Sequence, residues 1–351
     1  TPTLQNNIHQ TPTLQNNIHQ TPTLQNNIHQ TPTLQNNIYQ TPHKENENKK
    51  VDEKAFFDDE DERHHTILAK VGEGATSIVY KIIDNRTRKL MCKKVLKVKP
   101  NTTTFNDLKN IMKEFDVLHR INHPCICKAL AINTQEKIED SPDQSITTVS
   151  LLLEYLEYSL KDCIDKNIFK NTIKAKIAVE IAFGMLYIHK LGMMHRDLKI
   201  DNIMLNGLFQ AKIIDFGLVH VGDFMGLETQ SLTRGIGTFA YMSPEMQNEE
   251  NYDNKTDVYS YGILLYVLFN GNLPKQSMRD KLNNVPIKFP LPSSSISQFC
   301  IDLIRKCIAF EPIQRPSFEI ILNEMSKNSF QLADEIDSEL IEQRYRELCN
   351  L

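Results

Sequence analysis

Between residues 193 and 205 the chain reads MMHRDLKIDNIML, which places His195, Arg196, Asp197, Lys199, Asp201 and Asn202 within eight positions between apolar flanks. So dense a polar cluster needs a rigid apolar frame to hold its charges apart from bulk solvent and in register. The rest of the chain offers such a frame. The segment TDVYSYGILLYVLFN is apolar nearly all round and predicts a helix buried in the middle of a domain. In IKAKIAVEIAFGMLYIH, helical periodicity places Ile173, Ile177, Ile181, Met185 and Ile188 on one stripe. From about His65 the texture differs: short β-branched runs, ILAKVGEGATSIVYKII and KLMCKKVLKV, flank the turn-like DNRTR. Strands first and helices afterwards predict an α+β fold, with a small β-rich lobe, a larger helical lobe and a cleft between them.

Composition narrows the partners. A net charge of -4 over 351 residues argues against nucleic acid. The seven cysteines are odd in number and scattered, and Cys125-x-Cys127 lacks the CxxC spacing of zinc sites, so reduced thiols and a cytoplasmic location are expected. The apolar run YGILLYVLF is far short of the roughly 20 residues that span a bilayer, and no membrane partner is expected. The chain starts with Thr1 inside a repeat, so it reads as a fragment, and the lack of a signal peptide carries little weight.

Residues 1–40 are four copies of TPTLQNNI(H/Y)Q, and a fifth degrades at TPHKENENKK. Each copy has only Leu and Ile as large apolar residues, Asn and Gln fill four of its ten places, and a proline recurs at every tenth position. Such a composition cannot bury enough surface to offset its ordering entropy. Residues 1–50 are therefore expected to be disordered, either as a tail or as a tract of Thr-Pro modification or docking sites. An acidic linker is expected at 51–64, followed by a folded domain at 65–325 and a helical extension at 326–351.

In VGEGATSIVY a glycine-rich turn joins two strands, and Gly72 and Gly74 would let backbone amides approach phosphate oxygens without interference from Cβ. The turn alone is a weak signal, and Ser77 holds the place of the usual third glycine. Its company is stronger: VGEGATSIV, MCKKV, HRDLKIDN, DFG, SPE, TDVYSYG and QRPSF follow one another in order. Through these seven motifs the chain resembles the protein kinases from about residue 65 to 325. That resemblance implies a bilobal fold, ATP and Mg2+ as cofactors, and protein substrates.

Residue by residue, the resemblance implies that Asp197 is the catalytic base and that Lys199 neutralises the transferring phosphoryl group. It assigns magnesium to the hard oxygens of Asn202 and of Asp215, the Asp of DFG. Val71, Gly72, Gly74 and Val79 would cover the nucleotide, Met204 would floor the adenine pocket, and Leu153 would be the gatekeeper ahead of the hinge backbones of Glu154 and Leu156. The strand lysine is Lys93 or Lys94. Strand alternation puts the residue two earlier on the same face, where Cys92 would admit adenine more readily than Met91, and the twenty-residue spacing from Gly74 also favours Lys94. Its expected partner is Glu114, in NIMKEFDVLHRINHP. Glu245 and Arg315 resemble the ion pair that anchors the activation segment, and Asp257 the acid that braces the catalytic loop. Arg196 suggests an activating phosphate among Thr229, Ser231 and Thr233, with Thr233 preferred, and Thr238 is kept for substrate positioning.

Lys199 and Thr238 follow the serine/threonine pattern, and KCIAFEPIQRPSFEIIL resembles the C-terminal signature shared by tyrosine kinases and the tyrosine kinase-like group. The combination implies a serine/threonine kinase of the tyrosine kinase-like group. The alternative is a pseudokinase scaffold whose repeats bind partners, which would require loss of the strand lysine, Asp197 or Asp215. In FQLADEIDSELIEQRYRELCNL, Leu332, Ile336, Leu340, Ile341, Tyr345 and Leu348 recur at roughly helical spacing, and packing on the helical lobe is preferred over a coiled coil.

Overall fold

A computed structural model describes residues 65–74, 77–96, 115, 117–138, 145–216, 220–221, 236–248, 250–288 and 296–351. The repeats, the acidic linker, Glu114, Gly217 and the hydroxyls of Thr229, Ser231 and Thr233 lie outside the described residues.

The β-branched upstream runs form three strands of a five-stranded antiparallel sheet in the order β1-β2-β3-β5-β4, whose other two strands lie further along the chain. Its strands are β1 (His65–Glu73), β2 (Ser77–Asp84), β3 (Leu90–Leu96), β4 (Ala129–Ile138) and β5 (Ser145–Glu154). DNRTR turns because the Asp84 carboxylate accepts from the backbone N–H groups of Arg86 and Thr87, both at 2.8 Å. Arg88 completes the turn with a left-handed φ of 57°. The register sets Lys94 between Val79 of β2 and Leu151 of β5, and Cys92 between Lys81 and Leu153. A helix, α1, is described over residues 117–120 between β3 and β4, with Leu118 buried.

The helical part comprises α2 (Leu160–Asp165), α3 (Asn171–Lys190), α4 (Ile236–Tyr241), α5 (Pro244–Gln247), α6 (Lys255–Asn270), α7 (Met278–Leu282), α8 (Gln298–Cys307), α9 (Phe318–Lys327) and α10 (Ser338–Cys349). Ser159, Ser297, Ser317 and Asp337 start α2, α8, α9 and α10 by accepting an N–H of the first turn. Gly271, with a φ of 80°, ends α6 in the left-handed conformation that a side chain resists. Every residue of α6 from Thr256 to Phe269 is buried, as its all-round apolar sequence requires. Helix α3 is buried beyond its stripe: Ala178, Val179 and Ala182 are as fully covered as Ile177 and Ile181, whereas Ile173 is only partly so. The reason is that α6, α9, α10 and strand β9 (Ala211–Ile213) all pack on it.

Short strands continue into the helical part. β6 (Tyr158–Ser159), β8 (Ile203–Leu205) and β9 form one small sheet, and β7 (Met193–Met194) pairs with β10 (His220–Val221). At two or three residues each they are too short to show a two-residue period, so they were not visible in the hydrophobic pattern. They bracket the polar cluster of residues 195–202 and fix both of its ends.

Helix α10 lies on α3, burying Ile341, Tyr345 and Leu348, while Leu340 of the expected stripe is exposed. The Tyr345 ring meets the Phe183 edge with centroids 5.3 Å apart. All seven cysteines are free thiols, and among the described residues no helix is long and apolar enough to cross a membrane.

Candidate active site

The backbone leaves β7 and enters the polar cluster through Arg196, whose φ of 67° is strained for a non-glycine residue. Asp257 of α6 holds it there. One carboxylate oxygen accepts the His195 N–H at 2.9 Å and the other accepts the Arg196 N–H at 2.8 Å. The His189 Nε2 approaches the same carboxylate at 2.9 Å. Burial pushes the Asp257 carboxyl up, but the His189 contact, the charge of both histidines and the backbone N–H of His195 outweigh it and hold it below the usual range. Arg196 Nε is buried with no hydrogen-bond partner among the described residues, and its guanidinium lies over Tyr252.

Asp197 sits in a polar cradle. Its Oδ2 accepts from Lys199 Nζ at 2.6 Å and from Asn202 Nδ2 at 2.9 Å, and the same amide also donates to the Asp197 carbonyl at 2.7 Å. The Asn202 carbonyl accepts the Ile214 N–H at 2.9 Å, which ties the cluster to the segment carrying Asp215. His195, fully buried, reaches the Ile214 carbonyl through Nε2 at 3.2 Å and meets the Phe216 ring edge-on. Asp215 is also left-handed, with a φ of 65°. Its Oδ1 accepts from Lys94 Nζ at 3.2 Å, across 121 positions of sequence. Desolvation raises the Asp215 carboxyl, and the Lys94 ammonium foremost, with His195 and Lys199, reverses this, so the group lies below the ordinary carboxylate range. Of the two candidate lysines, it is therefore Lys94 whose ammonium reaches this carboxylate.

The remaining expected residues frame this centre unevenly. Gly72 lies opposite Val79, and a Cβ there would meet only ordinary contacts at 3.7 Å, so the protein itself leaves room at this glycine. Gly74 closes the turn through its N–H to the Ser77 carbonyl at 2.9 Å, and Val71 is about half exposed. Burial raises the Cys92 thiol, which the backbone of Leu156 partly offsets, so strand β3 and the hinge residue touch. Met204 is half-buried on β8, and Leu153 is half-buried against the core. One oxygen of the Glu154 carboxylate accepts from Lys212 Nζ at 2.8 Å and from the Lys128 N–H at 2.7 Å.

Arg315 and Glu245 form a buried two-pronged pair at 2.6 and 2.9 Å, and the guanidinium also donates to the carbonyls of Ala309, Phe310 and Lys255. Sequence reasoning missed His189 and Lys212. A histidine in the last turn of a helix with a long apolar stripe was the one signal for the first; the second had none, since β9 is too short to read.

Residues 65–325 match the family described as protein kinase domain. A protein of Dictyostelium discoideum named probable serine/threonine-protein kinase is 31% identical over 266 residues, 73% of this chain and 27% of its own length. The dual specificity testis-specific protein kinase 2 of Rattus norvegicus is 26% identical over 275 residues, 76% of this chain and 45% of its own. The serine/threonine/tyrosine-protein kinase HT1 of Arabidopsis thaliana is 36% identical over 162 residues, 43% of this chain and 39% of its own. The chain thus spans less than half the length of each of these relatives.

Proposed function

We propose, from the premise that the chain belongs to the protein kinase family, that it transfers the γ-phosphoryl group of ATP to serine and threonine hydroxyls of protein substrates. The observation that carries this reading is the placement of Lys199 and Asn202 each within 3 Å of the Asp197 carboxylate, together with the Lys94–Asp215 pair. Within it, Asp197 takes the proton of the incoming hydroxyl, and Lys199 balances charge that develops at the transferring group. Lys94 orients the phosphates, and the glycine turn of Gly72 and Gly74 covers them.

The donors fit magnesium. Asp215 and Asn202 present hard oxygens, and Asn202 spends its amide nitrogen, not its side-chain oxygen, on Asp197. Two protein ligands suit an ion that keeps waters and substrate phosphates as its remaining ligands. When bound, Mg2+ would neutralise phosphate charge; the chain's own residues hold the proton and the geometry. The serine/threonine choice rests on Lys199 and on the tyrosine kinase-like resemblance, and the names of the relatives include both serine/threonine and dual-specificity kinases.

A peptide array with the purified chain tests the hydroxyl class, with phosphate appearing on serine and threonine and not on tyrosine. Asp197→Asn is expected to keep nucleotide binding and to lower turnover by about 10²-fold to 10⁴-fold. Lys94→Met should abolish transfer while Lys93→Met retains most of it. Near-normal turnover in Asp197→Asn would remove that residue from the mechanism.

A further inference from the structure

Helix α4 leads from Thr238, assigned by resemblance to substrate positioning, toward Glu245. Its last carbonyls point past the end of the helix, where no further turn supplies N–H donors. Side chains from three other elements supply them instead. Lys281 Nζ of α7 donates to the carbonyls of Phe239 at 3.0 Å, Ala240 at 2.8 Å and Met242 at 2.9 Å. Gln247 Nε2 of α5 donates to Phe239 and Met242 at 3.1 and 3.0 Å. Ser260 Oγ of α6 takes the Tyr241 carbonyl at 2.9 Å.

Lys281 is the charged member of this set, and its burial is unusual for a lysine, with 6% of its surface exposed. An ammonium has three N–H donors, and here three carbonyls use all of them. The Tyr259 ring lies 5.2 Å beneath the cation. Burial lowers the ammonium toward about 7, and the groups that face it are the three carbonyls and the Tyr259 ring. A surface lysine would gain nothing from such an arrangement. A lysine that accepts the cost of burial to cap one strand of backbone is one whose absence would let that backbone move.

We propose that Lys281 is a positioning residue for protein substrate: it fixes the backbone of residues 239–242, and through it the surface on which the acceptor peptide lies. The proposal rests on the kinase reading of the site. The contacts of Lys281 are with the backbone of residues 239, 240 and 242 and with the Tyr259 ring, so its effect is expected on peptide binding and not on nucleotide.

The test compares the full chain with Lys281→Met and Lys281→Arg, using a serine peptide chosen from the array. Lys281→Met should raise KM for the peptide about tenfold, the equivalent of one lost charge-assisted hydrogen bond, while KM for ATP holds. Amides of residues 239–243 should exchange hydrogen faster in this variant. Lys281→Arg, which keeps a cation able to donate to the same carbonyls, should restore both readouts. An unchanged peptide KM with unchanged exchange in Lys281→Met overturns the proposal, as does a parallel rise in both KM values. If the wild-type chain transfers no phosphate, the kinase reading fails by itself, and the exchange comparison still decides whether Lys281 holds this segment.

Discussion

Asp257 shows how a single side chain can hold a strained loop. Its two oxygens receive consecutive N–H groups, His195 and Arg196, and the latter lies in a left-handed conformation that an arginine would not choose. Asp257→Asn keeps the shape but turns one acceptor into a donor facing another donor, and the loss of charge-assisted bonds is expected to cost about 3 kcal/mol. The pH dependence has a definite sign. The folded carboxyl is held below its ordinary value, so the native state binds fewer protons than the unfolded chain near that value. The contribution is complete above the unfolded pKa of about 3.9 and is lost as pH falls through the lower folded one. Urea unfolding of wild type and Asp257→Asn should therefore show a gap that is constant near neutrality and narrows below about pH 4.

At the scale of elements, the α6–α8 contact leaves no room for a side chain at Gly262. A Cβ built on Gly262 would lie 2.7 Å from Ile308 Cγ2 and 2.8 Å from Cys307 Cβ. The Cys307 atom is bound to the backbone of α8, so relief requires the helices to separate. Gly262→Ala is expected to cost about 1–3 kcal/mol through overpacking, read as a lower Tm. Gly184→Ala in α3 meets Ile213 Cδ1 at 2.8 Å, the far end of a side chain that can turn, with the Cys125 carbonyl at 3.2 Å. Its penalty should be the smaller of the two, and equal penalties would contradict the helix-spacing argument.

At the scale of the whole molecule, residues beyond the matched 65–325 segment are joined to its core. Arg344 of α10 donates to the buried Glu180 of α3 at 2.7 Å, and the other Glu180 oxygen accepts the Ala211 N–H of β9 at 2.7 Å. Three elements thus meet on one carboxylate whose side chain is fully buried. Burial raises the Glu180 carboxyl, and Arg344 is among the groups that oppose this. Arg344→Met removes a cation and leaves a buried acid, so it should destabilise the chain by about 3–5 kcal/mol. Arg344→Met combined with Glu180→Gln should recover part of that, because the buried carboxylate is no longer stranded, although the buried Lys176 then loses its nearby anion. Denaturant unfolding of the two variants checks the difference.

By itself the sequence determined the order of strands before helices, the buried helix α6 and the identity of the polar cluster, because each is a local property of pattern or spacing. It also favoured Lys94 over Lys93 through the alternation of a strand and the size of Cys92. The tertiary structure alone decided which distant groups meet. Lys94 reaches Asp215 across 121 positions, Asp257 reaches His189, and Glu180 reaches Arg344. It also decided that α3 is covered on more than its stripe and that Leu340 faces outward. The physical reason is that hydrophobic periodicity reports which face of an element is apolar, not what covers it. Charged side chains carry no period at all: Lys281 reads as a solvated lysine until α7 is packed against the end of α4.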